Sequence, residues 1–256
     1  NAGGGGVNRN LVINGAMTVN QRGTTTGLNT AEEVYGGPDR FTLYSSTTSN
    51  SAVFTASQQN TSQAEFPRAY RAKCTTAASA AMTTNQEIKV STNLEANTLQ
   101  GLQFGYSTAK SITLSFWVRS NVTGTAVVWL YREDSTRQNS KTYTIDEADT
   151  WEYKTLTFNG DTGSGDTIPA DNGNGMVISW ILATGPSYTS GTSPDGTWED
   201  ITNANRYVGH TLDIGQDVND YFDLTGVQLE IGKTATPFEH RSYGDQLHSC
   251  KRYYEE

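Results

Sequence analysis

The stretch Ser111–Arg119 reads SITLSFWVR and has an aliphatic or phenyl side chain at every second position. One parity holds Ile112, Leu114, Phe116 and Val118, and the other holds Thr113, Ser115, Trp117 and Arg119. Successive side chains of a β-strand point to opposite faces of the sheet. The pattern therefore predicts a strand with one face in the core and a second face that presents an indole and a guanidinium.

Segments of the same kind recur along the chain, separated by Gly, Asn, Asp and Ser, and helical periodicity is absent until the C-terminus. The predicted strands are Leu11–Ile13, Arg40–Ser45, Ala52–Ala56, Ala69–Cys74, Gln86–Val90, Ser111–Arg119, Ala126–Arg132, Thr142–Ile145, Tyr153–Phe158, Met176–Leu182 and Tyr221–Ile231. Many short strands without intervening helices are typical of a sandwich. We expect an all-β fold, an antiparallel jelly-roll β-sandwich with long loops and a short C-terminal helix.

The last predicted strand changes parity along its length. Phe222 and Leu224 share one parity, whereas Val227 and Leu229 share the other, with Gly226 between them. A β-bulge adds one residue to a strand and often uses a glycine. A bulge at Gly226 would return both apolar pairs to a single buried face.

Composition limits the partners of the chain. Of its 256 residues, 35% are apolar and 18% are charged, and the net charge is −9. Nucleic-acid binding depends on clustered Lys and Arg, so no nucleic-acid partner is expected. Because no run approaches the roughly 20 apolar residues that span a bilayer, no membrane insertion is expected either.

Three regions are predicted from the local sequence. Residues 1–9 contain four consecutive glycines and are interpreted as a linker to an upstream part. Residues 10–234 are predicted to form one sandwich, although the length alone also allows two small domains. Residues 235–256 are predicted to be a docking tail with a helix at Ser242–Tyr254, where Ser242 and Asp245 resemble a capping box.

Within that helix, Leu247, Cys250 and Tyr254 would form an apolar stripe. The second cysteine of the chain is Cys74, and the two residues are interpreted as free thiols rather than a disulfide framework.

Two long segments, 159–175 and 185–205, resist assignment to strands because of their glycine, aspartate and proline content. Loops of this length in a compact domain are usually functional or contact a neighbouring chain. The Asp- and Asn-rich parts of 159–175 do not fit a calcium loop and are interpreted as turns.

The sequence offers no catalytic or cofactor motif. His210, His240 and His248 do not stand at a metal-ligand spacing, and no Gly-x-Ser-x-Gly elbow is present. The sequence does not decide whether the chain has the two carboxylates of a glycosidase, since the two residues of such a pair come together only in the folded structure. We predict no catalytic residues, no metal and no cofactor, and interpret the chain as a non-enzyme.

Aromatic side chains that stand opposite apolar rows are the predicted binding residues. Trp117 and Arg119, Trp129 and Tyr131, and Tyr153 would line one concave surface if their strands pair. A sugar ring packs its C–H face on such rings. In the alternative interpretation, Trp117 and Trp129 pack under a long loop or against another subunit. Trp151, Trp180 and Trp198 are interpreted as core or turn residues.

Both ends of the chain resemble a known fold. Asn10–Gly15 (NLVING) and Leu224–Glu230 (LTGVQLE) resemble the first and last strands of jelly rolls such as carbohydrate-binding modules, and Leu114–Ser120 is similar to a central strand of these modules. This resemblance implies that the two terminal strands are neighbours. It does not extend to a calcium site, because Ala16 and Met17 stand where sugar-binding relatives often have an acidic residue and an aromatic.

A second, more specific resemblance covers about Asn10–Tyr254. Its motifs are similar to modules of phage tail-fibre and other virion proteins: Val19–Gly23 (VNQRG), Asp39–Phe41 (DRF), Ala235–Arg241 (ATPFEHR), Tyr243–Gly244 and Cys250–Tyr254 (CKRYY). It implies a domain of a virion appendage on the surface of a phage particle, with a host-surface glycan or receptor and other virion proteins as partners.

Function remains open between three classes at this point. The first is a receptor- or glycan-binding appendage domain, and the second is a head-decoration or other structural virion protein without glycan binding. The third is a polysaccharide-degrading enzyme. A homotrimer is expected, because an appendage gains avidity from several copies.

Overall fold

Two antiparallel sheets pack face to face in the computed structural model, which describes residues 8–46, 52–163 and 165–256. Residues 1–7 of the predicted linker lie outside the described residues. Within the described ranges, no helix has both the length and the apolar character needed to cross a bilayer.

The strands follow one another with short or irregular connections. They are β1 Thr25–Leu28, β2 Val34–Tyr35, β3 Phe41–Ser45, β4 Val53–Asn60, β5 Arg68–Thr76, β6 Glu87–Glu95, β7 Ile112–Ser120, β8 Gly124–Arg132, β9 Arg137–Ile145, β10 Glu152–Phe158, β11 Asn174–Thr184, β12 Glu199–Asp200 and β13 Tyr221–Ile231. Short 3₁₀ helices occupy Ala96–Leu102, Pro186–Tyr188 and Asn203–Asn205, and the helix α1 spans Tyr243–Lys251.

The six-stranded sheet has the order β1-β4-β5-β13-β7-β10, and the seven-stranded sheet has the order β12-β9-β8-β11-β6-β3-β2. Strands that follow each other in sequence often lie in different sheets, so the chain crosses between the layers repeatedly. This is the predicted antiparallel jelly-roll β-sandwich with its short C-terminal helix.

One predicted strand is wrong. Leu11–Ile13 forms a bend and a turn rather than a strand. The segment nevertheless lies beside β13, as predicted, because Leu11 N donates to Leu229 O at 2.9 Å and Val227 N donates to Gly15 O at 2.9 Å. The side chain of Asn10 replaces part of the ladder, since its Nδ2 donates to Val227 O and its Oδ1 accepts from Leu229 N. The short strands β1, β2 and β12 were not predicted.

Both sheets contribute to one continuous core. Phe116 of β7 packs edge-on against Trp180 of β11, with ring centroids 5.7 Å apart. The apolar parity of the longer strands is buried on the inside of the sandwich, as shown by Phe116, Val118, Val128, Leu156, Phe158, Ile178, Leu224, Val227 and Leu229. The same core cluster includes residues from Val12 to Leu229. This cluster joins the two sheets, and a second, smaller cluster of buried residues lies outside it and consists of Val127, Trp129, Ile181 and Tyr207.

The bulge at Gly226 is confirmed. The register of β13 against β7 shifts between Thr225 and Gln228, and Gly226 has a φ of 60°. Glycine adopts this left-handed backbone without the penalty that a Cβ imposes. The extra residue keeps Leu224 and Val227 on the same buried face.

The C-terminal helix begins where the sequence predicts. Ser242 Oγ accepts a hydrogen bond from Asp245 N at 3.2 Å, which caps the helix. The predicted apolar stripe is partly wrong, because the buried residues of α1 are Gln246 and Cys250, while Leu247 is only half-buried. Gln246 is buried because its Oε1 accepts from Asn14 N at 2.8 Å. Cys74 and Cys250 are free and buried, as predicted.

Three of the sequence motifs, Val19–Gly23, Asp39–Phe41 and Cys250–Tyr254, contact one another in space. Arg22 lies over the ring of Tyr254, with its Cζ 3.5 Å from the centroid, and Arg40 lies over Tyr253 at 3.4 Å. Asp39 Oδ1 accepts from Gln21 N at 2.9 Å. Stacking of a guanidinium group on a phenol ring is a cation–π contact, which is stronger where both groups are shielded from water. The three motifs therefore form one contact that fastens the C-terminal tail to the start of the sandwich.

Candidate functional site

The five predicted binding residues do not share one surface. Trp117 and Arg119 lie on β7 and Tyr153 on β10, both in the six-stranded sheet, whereas Trp129 and Tyr131 lie on β8 in the seven-stranded sheet. The expectation of a single concave surface is wrong for this reason. Alternation identifies the outward face of each strand, but it does not identify the sheet to which the strand belongs, and the outer faces of a sandwich point in opposite directions.

Trp117 and Tyr153 are direct partners across β7 and β10. Their ring centroids are 5.4 Å apart and the rings are tilted by 48°. Tyr153 lies on the edge strand β10 and is 47% exposed, and Trp117 on the neighbouring strand is half-buried. The pair lines a groove of about 630 Å³ on the outer face of the six-stranded sheet.

The opposite wall of the groove comes from two connecting segments. Residues 233–238, directly after β13, line the groove together with Glu65 and Phe66. Phe238 packs edge-on against Phe66 at 4.8 Å, and His240 stacks on the same ring at 5.5 Å. These contacts hold the wall in place. Phe238 thereby anchors the chain where it leaves β13.

The bulge residue Gly226 lies between the two walls. A Cβ at this position would lie 2.8 Å from the ring of Phe66 and 3.0 Å from Cδ1 of Trp117. Both distances are shorter than an ordinary van der Waals contact. The glycine therefore gives the bulge its left-handed backbone and also leaves the space between these two rings open.

Polar groups surround the aromatic rings. The lining residues include the hydroxyl-bearing Ser115, Thr155, Thr234 and Thr236, of which Thr236 donates to Glu230 Oε2 at 2.7 Å, and the charged residues Glu65 and Lys233. The groove thus offers apolar ring faces, several groups that both donate and accept hydrogen bonds, and one charge of each sign. No strand periodicity marks Glu65, Phe66 or residues 233–238 as part of a binding site, because they meet the sheet only through the fold.

Arg119 is held by an ion pair. Its Nη2 lies 2.8 Å from Asp223 Oδ2, and Arg71 Nε lies 2.6 Å from Asp223 Oδ1. Asp223 is completely buried, so two guanidinium groups compensate one buried carboxylate. The hydrogen bond with Asp223 raises the pKa of Arg71. These contacts explain the presence of Arg119 on this face without any ligand.

Trp129 is buried beneath the loop that follows β11. It is 4% exposed, and Tyr207 packs edge-on against it with ring centroids 5.9 Å apart. Arg206 covers the ring, with its Cζ 5.1 Å from the centroid, and Trp129 Nε1 donates to Gln138 Oε1 at 3.2 Å. The alternative interpretation, packing under a long loop, describes Trp129. Tyr131 lies beside it and is half-buried.

The loop 159–175 is fastened by charge. Asp161 is fully buried and is paired with Arg132 and with Arg137, whose Nη2 lies 2.9 Å from Asp161 Oδ1. Trp198 Nε1 donates to Asn159 O at 2.8 Å. Asp161 therefore ties this loop to β8 and β9. Over residues 8–46, 52–163 and 165–256, no group of three or more His, Cys, Asp or Glu side chains is arranged to hold a metal ion.

No family model and no curated protein sequence matches the chain. Solved structures with a similar arrangement include a candidate sugar-binding protein from Bacteroides thetaiotaomicron, with a TM-score of 0.46, 11% identity and coverage of 87% of this chain and 100% of the other. A family 11 carbohydrate-binding module from Clostridium thermocellum, in complex with a mixed-linked β-1,3-1,4 tetrasaccharide, has a TM-score of 0.38, 12% identity and coverage of 85% and 98%.

The enzymatically active domain of tailspike protein 4 of bacteriophage CBA120 has a TM-score of 0.39 and 10% identity. The match covers 88% of this chain and 22% of the tailspike chain, so this chain spans about a fifth of that protein. The fold of the present chain is established by its own strand order and core, and it is that of an all-β jelly-roll sandwich.

Proposed function

We propose that this protein is a glycan-binding domain and that its binding site is the groove on the outer face of the six-stranded sheet. The observation that supports the proposal most strongly is the pair of Trp117 and Tyr153, which present aromatic rings to a groove of about 630 Å³. The C–H face of a sugar ring packs on such rings, while its hydroxyl groups require nearby polar partners.

The lining of the groove favours a neutral glycan and binding without cleavage. Its charged lining residues, Glu65 and Lys233, balance each other. Hydrolysis of a glycosidic bond ordinarily requires two carboxyl groups on either side of the bond. Among the described residues that line the groove, Glu65 supplies the one carboxylate. This arrangement supports a non-catalytic module over a polysaccharide-degrading enzyme.

We further propose that the domain belongs to an appendage of a phage virion, where the glycan would be part of the host surface. The support is the set of motifs in the sequence and their contact with one another around Arg22, Arg40, Tyr253 and Tyr254. A homotrimer would multiply a weak single-site affinity. The second candidate, a structural virion protein, would use the same tail contact without the groove.

Binding can be tested by isothermal titration of the purified chain with a panel of neutral oligosaccharides and host-surface polysaccharides. We expect weak binding per site, about 10 μM to 1 mM, because a shallow groove buries little of its ligand. Trp117→Ala and Tyr153→Ala should each weaken binding at least tenfold. The matched control is Tyr131→Ala on the opposite sheet, which should bind as the unaltered protein does.

Two outcomes would separate the candidates. Equal loss of affinity in all three variants would show that the sugar binds elsewhere, and no binding to any member of the panel would favour the structural virion protein.

Light scattering measures the oligomeric state against the monomer mass of 27.8 kDa. Labelled antibodies on virions, seen by electron microscopy, would test the location on the particle.

A further inference from the structure

A second cavity, of about 290 Å³, lies where the first described residues, the end of β6 and the C-terminal tail meet. It shares no lining residue with the glycan groove. Its charged lining residues are Arg40, Glu95 and Arg241. The ion-pair partners of these three side chains indicate which kind of ligand the cavity can bind.

Two of the three charges are compensated by neighbours. Glu95 Oε2 lies 2.8 Å from Arg252 Nη2, and Arg241 Nη2 lies 3.2 Å from Glu239 Oε2. Arg40 differs, since no carboxylate oxygen among the described residues lies within 4.0 Å of its nitrogens. Its own contacts are neutral: Nη2 donates to Asn93 O at 2.6 Å, and the guanidinium lies over the ring of Tyr253.

Arg40 is also deeply buried, with 7% of its surface exposed. A buried cation without a counter-charge loses its hydration and regains it only partly from carbonyl and ring contacts. Tyr253 does not supply the missing negative charge, because burial raises the pKa of its phenol to about 12 and the ring stays neutral. One positive charge therefore remains without a partner in a chain whose net charge is −9.

Two of the residues that line this cavity have unused hydrogen-bond donors. Nε of Arg40 and Nε of Arg241 are both buried and have no acceptor among the described residues. Buried N–H groups of native proteins nearly always have an acceptor. A group with several oxygen acceptors and a negative charge matches both requirements, and guanidinium geometry suits carboxylate, sulfate and phosphate groups.

We propose that this cavity is an oxyanion site, in which Arg40 binds a carboxylate, sulfate or phosphate group and Arg241 donates a further hydrogen bond. The oxyanion belongs either to a small free ion or to an acidic sugar, since a volume of about 290 Å³ holds both. The site is separate from the glycan groove, so either proposal can fail without the other.

The test is isothermal titration of the full chain with sodium phosphate, sodium sulfate and sodium galacturonate, each at constant ionic strength. Arg40→Met removes both the charge and the free Nε, and we expect it to weaken binding at least tenfold. Arg22→Met is the matched control, because Arg22 also stacks on a tyrosine of the tail but does not line the cavity. Its affinity should stay within twofold of the unaltered protein.

The three probes distinguish the sources of the oxyanion. Tighter binding of phosphate or sulfate than of galacturonate indicates a free ion, and the reverse order indicates a sugar carboxylate. Equal affinities in Arg40→Met and in the unaltered protein indicate an adventitious ion only and overturn the proposal, as does the absence of binding by all three probes.

Glu95→Gln gives an independent measurement in case Arg40→Met does not fold. It removes a negative charge from the lining and frees Arg252, so we expect two- to fivefold tighter binding of phosphate. Unchanged or weaker binding in Glu95→Gln would contradict the assignment of the cavity to an oxyanion.

Discussion

Two aromatic pairs with similar sequence patterns end in opposite environments. Trp117 and Tyr153 remain open to a groove on the six-stranded sheet, whereas Trp129 and Tyr131 lie on the seven-stranded sheet, where Arg206 and Tyr207 cover the indole. In both cases the outward position follows from strand parity. The difference comes from the segments that reach each face: a loop lies directly on Trp129, while residues 233–238 stand beside Trp117 and form a wall.

The comparison teaches that an outward aromatic is only a candidate for ligand binding until the covering segments are known. A covered ring contributes to stability, because its apolar surface is removed from water on folding. An open ring contributes less to stability and keeps its surface for a partner. The predictions below test this division, from the largest expected effect to the smallest.

Trp129→Ala should lower the free energy of unfolding by about 3 to 5 kcal/mol, as expected for loss of a large buried side chain. Trp117→Ala should cost less than half of this, because Trp117 is only half-buried. Denaturant unfolding of both variants measures the difference. Equal losses of stability would mean that the two faces are covered alike.

Acid should destabilise the loop-covered side. Burial lowers the pKa of His210 to about 4, below its ordinary value of 6.5, and backbone contacts with Leu212 and Leu182 oppose this only partly. The unfolded chain therefore binds a proton at His210 before the folded chain does. The stabilisation is complete above about pH 6.5 and is lost as the pH falls from there toward 4, by up to about 1.4 kcal/mol per pH unit.

The measurement for His210 is the melting temperature between pH 7 and pH 4, with His210→Gln as the control. The variant should show a flatter pH dependence across this window. A slope identical to that of the unaltered protein would assign the acid sensitivity to other groups.

Gly226→Ala should destabilise the protein by about 1 to 3 kcal/mol, because alanine is strained at a left-handed backbone position. The new Cβ would also press on Phe66 and Trp117, so glycan affinity should fall together with stability. Gly165→Ala is a suitable control, since Gly165 also has a positive φ and its Cβ would meet no atom within 4 Å. Unchanged glycan affinity in Gly226→Ala would show that the ligand does not approach the bulge.

Tyr153→Ala should change the free energy of unfolding least, by less than about 1 kcal/mol, because nearly half of its surface is already exposed. Its effect belongs to ligand binding. A loss of stability comparable with that of Trp129→Ala would place Tyr153 among the packing residues and remove the main support for the groove.

Much of the fold follows from local sequence. The alternation in Ser111–Arg119 predicts both the strand β7 and its buried face, and the parity change around Gly226 predicts the bulge that the structure contains. Leu11–Ile13 is the informative failure. Its apolar residues suggest a strand, but the Asn10 side chain takes over hydrogen bonds with Val227 and Leu229 that a backbone ladder would otherwise make.

The candidate site was predictable only in part. Trp117 and Tyr153 are found by parity, and their pairing requires only that two neighbouring strands of one sheet be aligned. Glu65, Phe66 and residues 233–238 stand far from them in sequence and have no periodic signal. Arg119 is a residue type that often binds ligands. Its guanidinium is nevertheless paired with the buried carboxylate of Asp223, which lies more than a hundred positions away in sequence.

The sequence by itself determined the longer strands, their buried faces, the bulge and the capped helix, because each depends on residues within a few positions of one another. The tertiary structure decided which outward aromatic rings remain exposed and which arginines form ion pairs with a carboxylate. It also decided where the C-terminal tail packs against Arg22 and Arg40. These outcomes depend on how strands are distributed between two sheets and on which distant segment covers each face. Such long-range contacts depend on the packing of the whole core, and a local sequence pattern does not predict them.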